Sequence, residues 1–292
     1  MGLFSRPLVA AVAVEPGEGG LHRVVLTHPR GGRARVYLHG AHLAEWRDGD
    51  GDDVLFVSAA SKFDVRSAIR GGVPVVFPQF ADQGPLPKHG FARTASWTLA
   101  AHGATPDEAR VSLRLSDTDA TRALWPHAFT AHLTVTLGDT LAVELTVENA
   151  GEAPFDFTCA LHTYFRVDDV RRASVAGLRG VRYRDKVTGG EVVEAAEAVE
   201  IAGEVDRVYM GAPDALRILD PAGGRTVVLR REGFADAVVW NPGPDLAREL
   251  PDLGDDEYLR MLCVEAANAA SPVRLAPEER WVGRQTIEVA RS

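Results

Sequence analysis

The stretch Ile69 to Arg93, IRGGVPVVFPQFADQGPLPKHGFAR, gathers three fixed cations (Arg70, Lys88 and Arg93) and a histidine, His89, around Gly and Pro turns. The chain as a whole is acidic, with a formal net charge of -9 over 292 residues. A local cluster of positive charge in such a chain points to an anionic ligand held by loops on a rigid sheet. Arginine suits phosphate because its planar fork donates two hydrogen bonds at once. Arg70 precedes a Gly-Gly pair, which lets the backbone turn tightly or come close to a ligand. The competing reading is that Arg70 and Arg93 pair with structural carboxylates.

Three further segments carry groups that could do chemistry. In Cys159-Ala160-Leu161-His162-Thr163-Tyr164-Phe165, strand alternation puts His162 and Tyr164 on one face, with Leu161, Thr163 and Phe165 on the other. Titration near neutral pH makes His162 the best acid candidate, against the bland alternative of a satisfied core histidine. Glu265 ends the almost wholly apolar run Met261 to Val264. A carboxylate there is costly unless paired or functional, and partial burial raises its pKa towards that of a general base. Asp206, in Val205-Asp206-Arg207-Val208-Tyr209, follows an acidic stretch and is expected on a rim. Trp240 offers an apolar face that could stack on a sugar ring or simply fill the core at a strand end.

The elements that must position these groups are strands. Period-two runs recur through LHRVVLTHP, GRARVYLHGAHLAEW, DVLFVS, ARVSLRLS, YLRMLCVEAAN and RQTIEVARS. Phe129 to Asn149 reads as a hairpin turning at Gly138-Asp139-Thr140, and Asp220 to Gly224 turns another. Helical signals are confined to Asp117 to Leu124 and Asp245 to Leu250. Many short strands with close-spaced turns predict an all-β sandwich or barrel. The absence of repeats and linkers predicts one domain over residues 1–292.

Composition narrows the function classes. At 46% hydrophobic and 25% charged, the chain has ordinary globular composition. The acidic balance argues against nucleic acid or an anionic membrane as the main partner. The two cysteines, Cys159 and Cys263, lie in apolar runs and are expected as buried free thiols, with no metal-ligand spacing. The N-terminal run is short and reads as a first strand, not a signal peptide. Arg6 stands where a myristoylation signal through Gly2 would want Ser or Thr. With no run long enough to span a membrane, the expectation is a soluble cytoplasmic protein, monomeric by default.

Taken in order, IRGGVPVVFPQF, KHGFAR, LHTYF, VDRVY, VVWNP and CVEAAN resemble motifs of the galactose mutarotase-like superfamily, in its glucose-6-phosphate 1-epimerase branch. The resemblance runs from about Gly40 to the C-terminus. It implies a β-sandwich of the supersandwich type with the sugar in a concave groove on one sheet, and no metal or organic cofactor. By that resemblance His162 is the general acid towards the pyranose ring oxygen, and Glu265 is the general base towards the anomeric hydroxyl. His89 and Asp206 hold sugar hydroxyls, and Arg70 and Arg93, with Lys88, hold the phosphate. Three positions depart from the pattern. Lys88 stands where Gln is common and Ala81 where Gly is usual, while Gln79 replaces an aromatic of some relatives; these bear on sugar preference. Two alternatives stay open: an aldose 1-epimerase acting on unphosphorylated hexoses, and a catalytically silent carbohydrate-binding sandwich.

Overall fold

Strict alternation along the strands decides the architecture. In the hairpin Phe129–Leu137 and Leu141–Asn149, the residues Leu133, Val135, Leu137, Val143, Leu145 and Val147 all point one way and are fully buried. A face so uniformly apolar must be covered, and a second sheet covers it. The computed structural model describes residues 9–291. Residues Gly2 and Arg6, and with them the opening of the expected N-terminal strand, lie outside that range; within it the strand Ala11–Pro16 forms.

Three sheets make up the described chain, of four, eight and nine strands. The four-stranded sheet is a meander of Ala11–Pro16, His22–His28, Gly32–Tyr37 and His42–Arg47. The nine-stranded sheet holds the 129–149 hairpin and the long C-terminal strand Arg280–Arg291. The eight-stranded sheet is centred on Met261–Leu275, flanked by Asp236–Asn241 on one side and Phe155–Leu161 on the other. One continuous apolar cluster joins the sheets, with Leu262, Val264 and Ala266 contributed by the central strand and Leu133, Val147 and Ile287 by the facing sheet.

The expected turns and helices fall where the sequence places them, with shifted ends. The first helix is Asp119–Leu124, capped by Thr118, which exchanges hydrogen bonds with Thr121. The second begins at Gly243, earlier than the sequence suggested, because the Asn241 side chain accepts the Gly243 N–H at 2.9 Å. The run DVLFVS forms isolated bridges at Leu55 and Val57, not a strand. Cys159 and Cys263 are buried free thiols. No helix among the described residues is long and apolar enough to cross a membrane.

Candidate active site

Three strands of the eight-stranded sheet each send two residues, spaced i and i+2, to the face turned away from the sandwich core: Asp206 and Val208, Val238 and Trp240, and Cys263 and Glu265. A fourth pair comes from the segment joining Phe155–Leu161 to Tyr164–Arg166, with His162 between those two strands and Tyr164 opening the second. Backbone register aligns them into rows. Asp206 pairs with Trp240, Trp240 with Cys263, and Cys263 with Tyr164. In the adjacent row Val208 pairs with Val238 and Val238 with Glu265, and His162 completes it, its Nε2 3.3 Å from Glu265 Oε1. The first row spans three inter-strand steps, about 14 Å from Asp206 to Tyr164. This is why an apolar strand can carry a carboxylate: Leu262, Val264 and Ala266 face the core, while Glu265 faces the opposite side with Cys263 and Ala267.

The walls come from loops. The segment after Val75–Val76 is gripped by strand Phe155–Leu161 where its pairing with Met261–Leu275 slips between Phe157 and Cys159. There Thr158 Oγ1 accepts the Phe80 N–H at 2.7 Å, and the Thr158 N–H donates to Pro78 O at 3.0 Å. A bulge used to re-aim a neighbouring segment beside a site is a common device. The resulting cleft, of about 310 Å³, is lined by all seven sequence-predicted residues. Phe80, Trp240, Leu246 and Leu250 provide its apolar surface, and Lys186 joins the charged groups.

Arg70 Nη1 donates to the Tyr164 hydroxyl at 3.0 Å and Nη2 to Asp252 Oδ1 at 3.0 Å, while its Nε is buried with no partner among the described residues. The expectation of a structural carboxylate partner therefore holds for Arg70. Arg93 has no carboxylate partner among the described residues; one of its nitrogens donates to Lys88 O at 2.9 Å. Lys88 itself is an exposed rim residue. The Gly-Gly pair approaches the protein's own backbone: a Cβ on Gly71 would lie 2.3 Å from Phe56 O, and one on Gly72 2.3 Å from Leu43 O. That close approach, not ligand access, is what requires glycine there.

His89 is buried with φ 67°, its ring edge-on to both Phe80 and His162. Its Nδ1 accepts the Ala81 N–H at 3.4 Å, and burial drives its pKa down, so the ring is neutral. His162 stacks on Tyr164 at 4.8 Å. Burial, then the charges of Arg93 and Arg70, push His162 down to about 3. Glu265 moves the other way: burial, then the nearby Asp206 carboxylate, raise it well above the usual carboxylate range, with Lys186 opposing. Glu265 Oε2 is buried with no partner among the described residues, an unmet acceptor at the cleft floor of the kind a ligand hydroxyl satisfies.

Two expectations need correction. Asp206 lies within strand Val205–Met210 and forms the end of the floor row, not a loop rim. Gln79 does not line the cleft. Its amide donates to Ala81 O and Leu86 O, each at 3.1 Å, and its carbonyl accepts the Leu86 N–H at 3.0 Å, so it staples the loop that leads to Lys88. Ala81 has φ 49°, which gives the preference for glycine at this position a backbone cause. Lys186 is the residue that sequence reasoning missed. It lies in the turn after Arg182–Asp185, with Nζ 3.6 Å from Asp206 Oδ2 and 5.3 Å from the centre of the Phe80 ring.

A three-sheet β-sandwich with a buried histidine–glutamate pair in a groove on one sheet describes a class, and comparison with known proteins agrees with the fold. The aldose 1-epimerase family model matches residues 22–288, and the chain belongs to this family. A protein of Cenchrus ciliaris provisionally named glucose-6-phosphate 1-epimerase is 38% identical over 94% of this chain and 86% of its own. An Escherichia coli K12 protein with the same provisional name is 37% identical over 93% of this chain and 91% of its own. Among solved structures, a provisionally assigned mutarotase, YeaD of Salmonella typhimurium, superposes with TM-score 0.89 at 33% identity, covering 99% of this chain and 96% of its own. A galactose mutarotase-like protein of Clostridium acetobutylicum shares the fold at TM-score 0.78 and 16% identity, covering 97% of this chain and 99% of its own.

Proposed function

We propose that the protein interconverts the α and β anomers of hexose 6-phosphates, glucose 6-phosphate foremost. The observation that carries this is the contact of His162 Nε2 with Glu265 Oε1 at 3.3 Å on the cleft floor, beside two arginines at the Tyr164 end. Glu265 takes the proton of the anomeric hydroxyl while His162 gives one to the ring oxygen. The C1–O5 bond breaks and a C1 carbonyl forms. Rotation about C1–C2 presents the other carbonyl face, and closure runs the transfers backwards. The pair holds one proton before and after each step, so no net charge is created in a buried site. His89, neutral and accepting at Nδ1, carries its proton on Nε2 and can donate to a sugar oxygen.

Phosphate binding and proton transfer are linked in this arrangement. Burial, and then the charges of Arg93, Arg70 and Lys186, hold His162 deprotonated. A phosphate dianion bound to the two arginines cancels their share and shifts His162 towards the imidazolium needed to protonate the ring oxygen. Binding energy from a group remote from the reacting carbon is thereby used at that carbon.

A reading as an epimerase of unphosphorylated hexoses draws on one observation: Arg70 is already engaged by Asp252 and Tyr164. Exchange NMR on glucose 6-phosphate and on glucose separates the two. The proposal expects kcat/KM for the phosphosugar to exceed that for glucose by about 100-fold or more, the scale of two charge-assisted hydrogen bonds. Equal acceleration of both would transfer the assignment to free hexoses. Acceleration of neither, with sugar binding retained, would make the protein a carbohydrate-binding sandwich.

A further inference from the structure

The charged groups of the cleft form two poles separated by the floor row. At the Tyr164 end, Arg70 is tied to Tyr164 and Asp252, and Arg93 acts electrostatically on the same three residues. At the Asp206 end, Lys186 and Lys88 are the cations that act on Asp206. Trp240 and Cys263 lie between the ends in register. A phosphate held by the arginines lies at one pole, which leaves Lys186 and Asp206 facing the far side of the sugar ring.

Lys186 is built into its position. Its backbone N–H donates to Asp206 O at 2.8 Å. The turn that carries it is fixed by Asp185, whose Oδ1 accepts the Val187 and Thr188 N–H groups at 3.0 and 2.9 Å. Arg207 braces the same Asp185 at 3.4 Å. The side chain then lies against the Phe80 ring, with its ammonium on Asp206. An ammonium has three donors and a carboxylate about four acceptor sites, and this pair uses one contact between them.

Resting on the anomerase reading above, we infer that Lys186 and Asp206 together form a diol clamp, Lys186 donating to and Asp206 accepting from adjacent ring hydroxyls, and that Lys186 sets which hexose 6-phosphate is preferred. The two side chains are partly exposed, at 31% and 25%, so an epimer that cannot meet them loses the clamp's hydrogen bonds without stranding a fully buried group, and the discrimination expected is modest. Lysine at 186 therefore discriminates configuration, whereas Arg93 discriminates phosphorylation.

The test is exchange NMR on glucose 6-phosphate and its C2 and C4 epimers, with free glucose as control, for wild type, Lys186→Met and Lys186→Arg. The clamp predicts that Lys186→Met raises KM about tenfold for glucose 6-phosphate and for free glucose alike. The spread of kcat/KM among the three phosphosugars should narrow at least fivefold, with Lys186→Arg restoring part of it and thermal midpoints unchanged. An unchanged KM and spread in Lys186→Met would overturn the clamp while leaving the anomerase intact, as would a wild type without preference among the epimers. A wild type that accelerates none of the sugars would overturn the anomerase reading and the clamp with it.

Discussion

Asp236 and Glu265 sit on neighbouring strands of one sheet, 0% and 1% exposed, and their surroundings treat them in opposite ways. Asp236 Oδ2 accepts the N–H groups of Ala269, Ala270 and Ser271 at 2.9, 2.7 and 3.4 Å, and Oδ1 accepts that of Gly211 at 3.3 Å. Glu265 has the His162 imidazole on one oxygen and, among the described residues, nothing on the other. A carboxylate ringed by amides has its acceptor sites met and ties neighbouring backbone together. One placed in the same sheet without donors is costly to fold and poised to take a proton. Burial alone therefore does not mark a functional acid; what its oxygens lack does.

Five measurements would break or sharpen that contrast. The largest effect belongs to the base. Glu265→Gln should lower kcat for anomerisation by about 10²–10⁴-fold, the usual contribution of a positioned acid or base. Next is Asp236→Ala, which strands several amides and should cost about 3 kcal/mol or more of stability by denaturant unfolding. At a temperature where that variant stays folded, its kcat should remain within a few-fold of wild type. A large kcat loss there would erase the distinction between the two carboxylates. Arg93→Ala should raise KM for glucose 6-phosphate about ten- to a hundred-fold and leave glucose almost unaffected; equal effects would remove Arg93 from the phosphate pole.

The smallest effect is in stability against pH. The folded-state pKa of Glu265 is raised, so its contribution is fully present below the unfolded value of about 4.3 and is lost as pH rises through the folded value. Glu265→Gln should therefore gain on wild type as pH rises above about 4.3, by about 1–2 kcal/mol near neutrality. The pair works with one proton between its members, so the acid limb of kcat/KM marks uptake of a second proton by His162 in the free enzyme; with His162 depressed to about 3, that limb should lie well below an ordinary histidine's pKa of about 6.5. An acid limb near 6.5 would mean that the ring is not held as the cleft suggests.

Alternation made much of this legible before the fold was known. The i, i+2 pairs His162/Tyr164 and Cys263/Glu265 follow from period two, and the apolar run before Glu265 already implied a carboxylate out of place. The rows were not legible. They depend on strands Val205–Met210, Asp236–Asn241 and Met261–Leu275 lying side by side in register, and register between distant segments leaves no local mark. Asp206 read as a rim residue because an acidic stretch precedes it, whereas pairing with Trp240 draws it into the sheet. Lys186 carried no signal beyond the Asp185 turn, since a lone lysine in RYRDKVTGG is typical of an exposed hairpin. The resemblance ties Gln79 to sugar preference because it replaces an aromatic of some relatives, and only the loop it staples shows its role.

The central claim is that a buried, half-unsatisfied glutamate is the base of an anomerase. The most direct test is the exchange rate of glucose 6-phosphate measured by NMR on wild type and Glu265→Gln, with the thermal midpoint of each. The account predicts a rate lower by at least 100-fold in a variant whose midpoint is equal or higher. A rate within tenfold of wild type in the folded variant would contradict it.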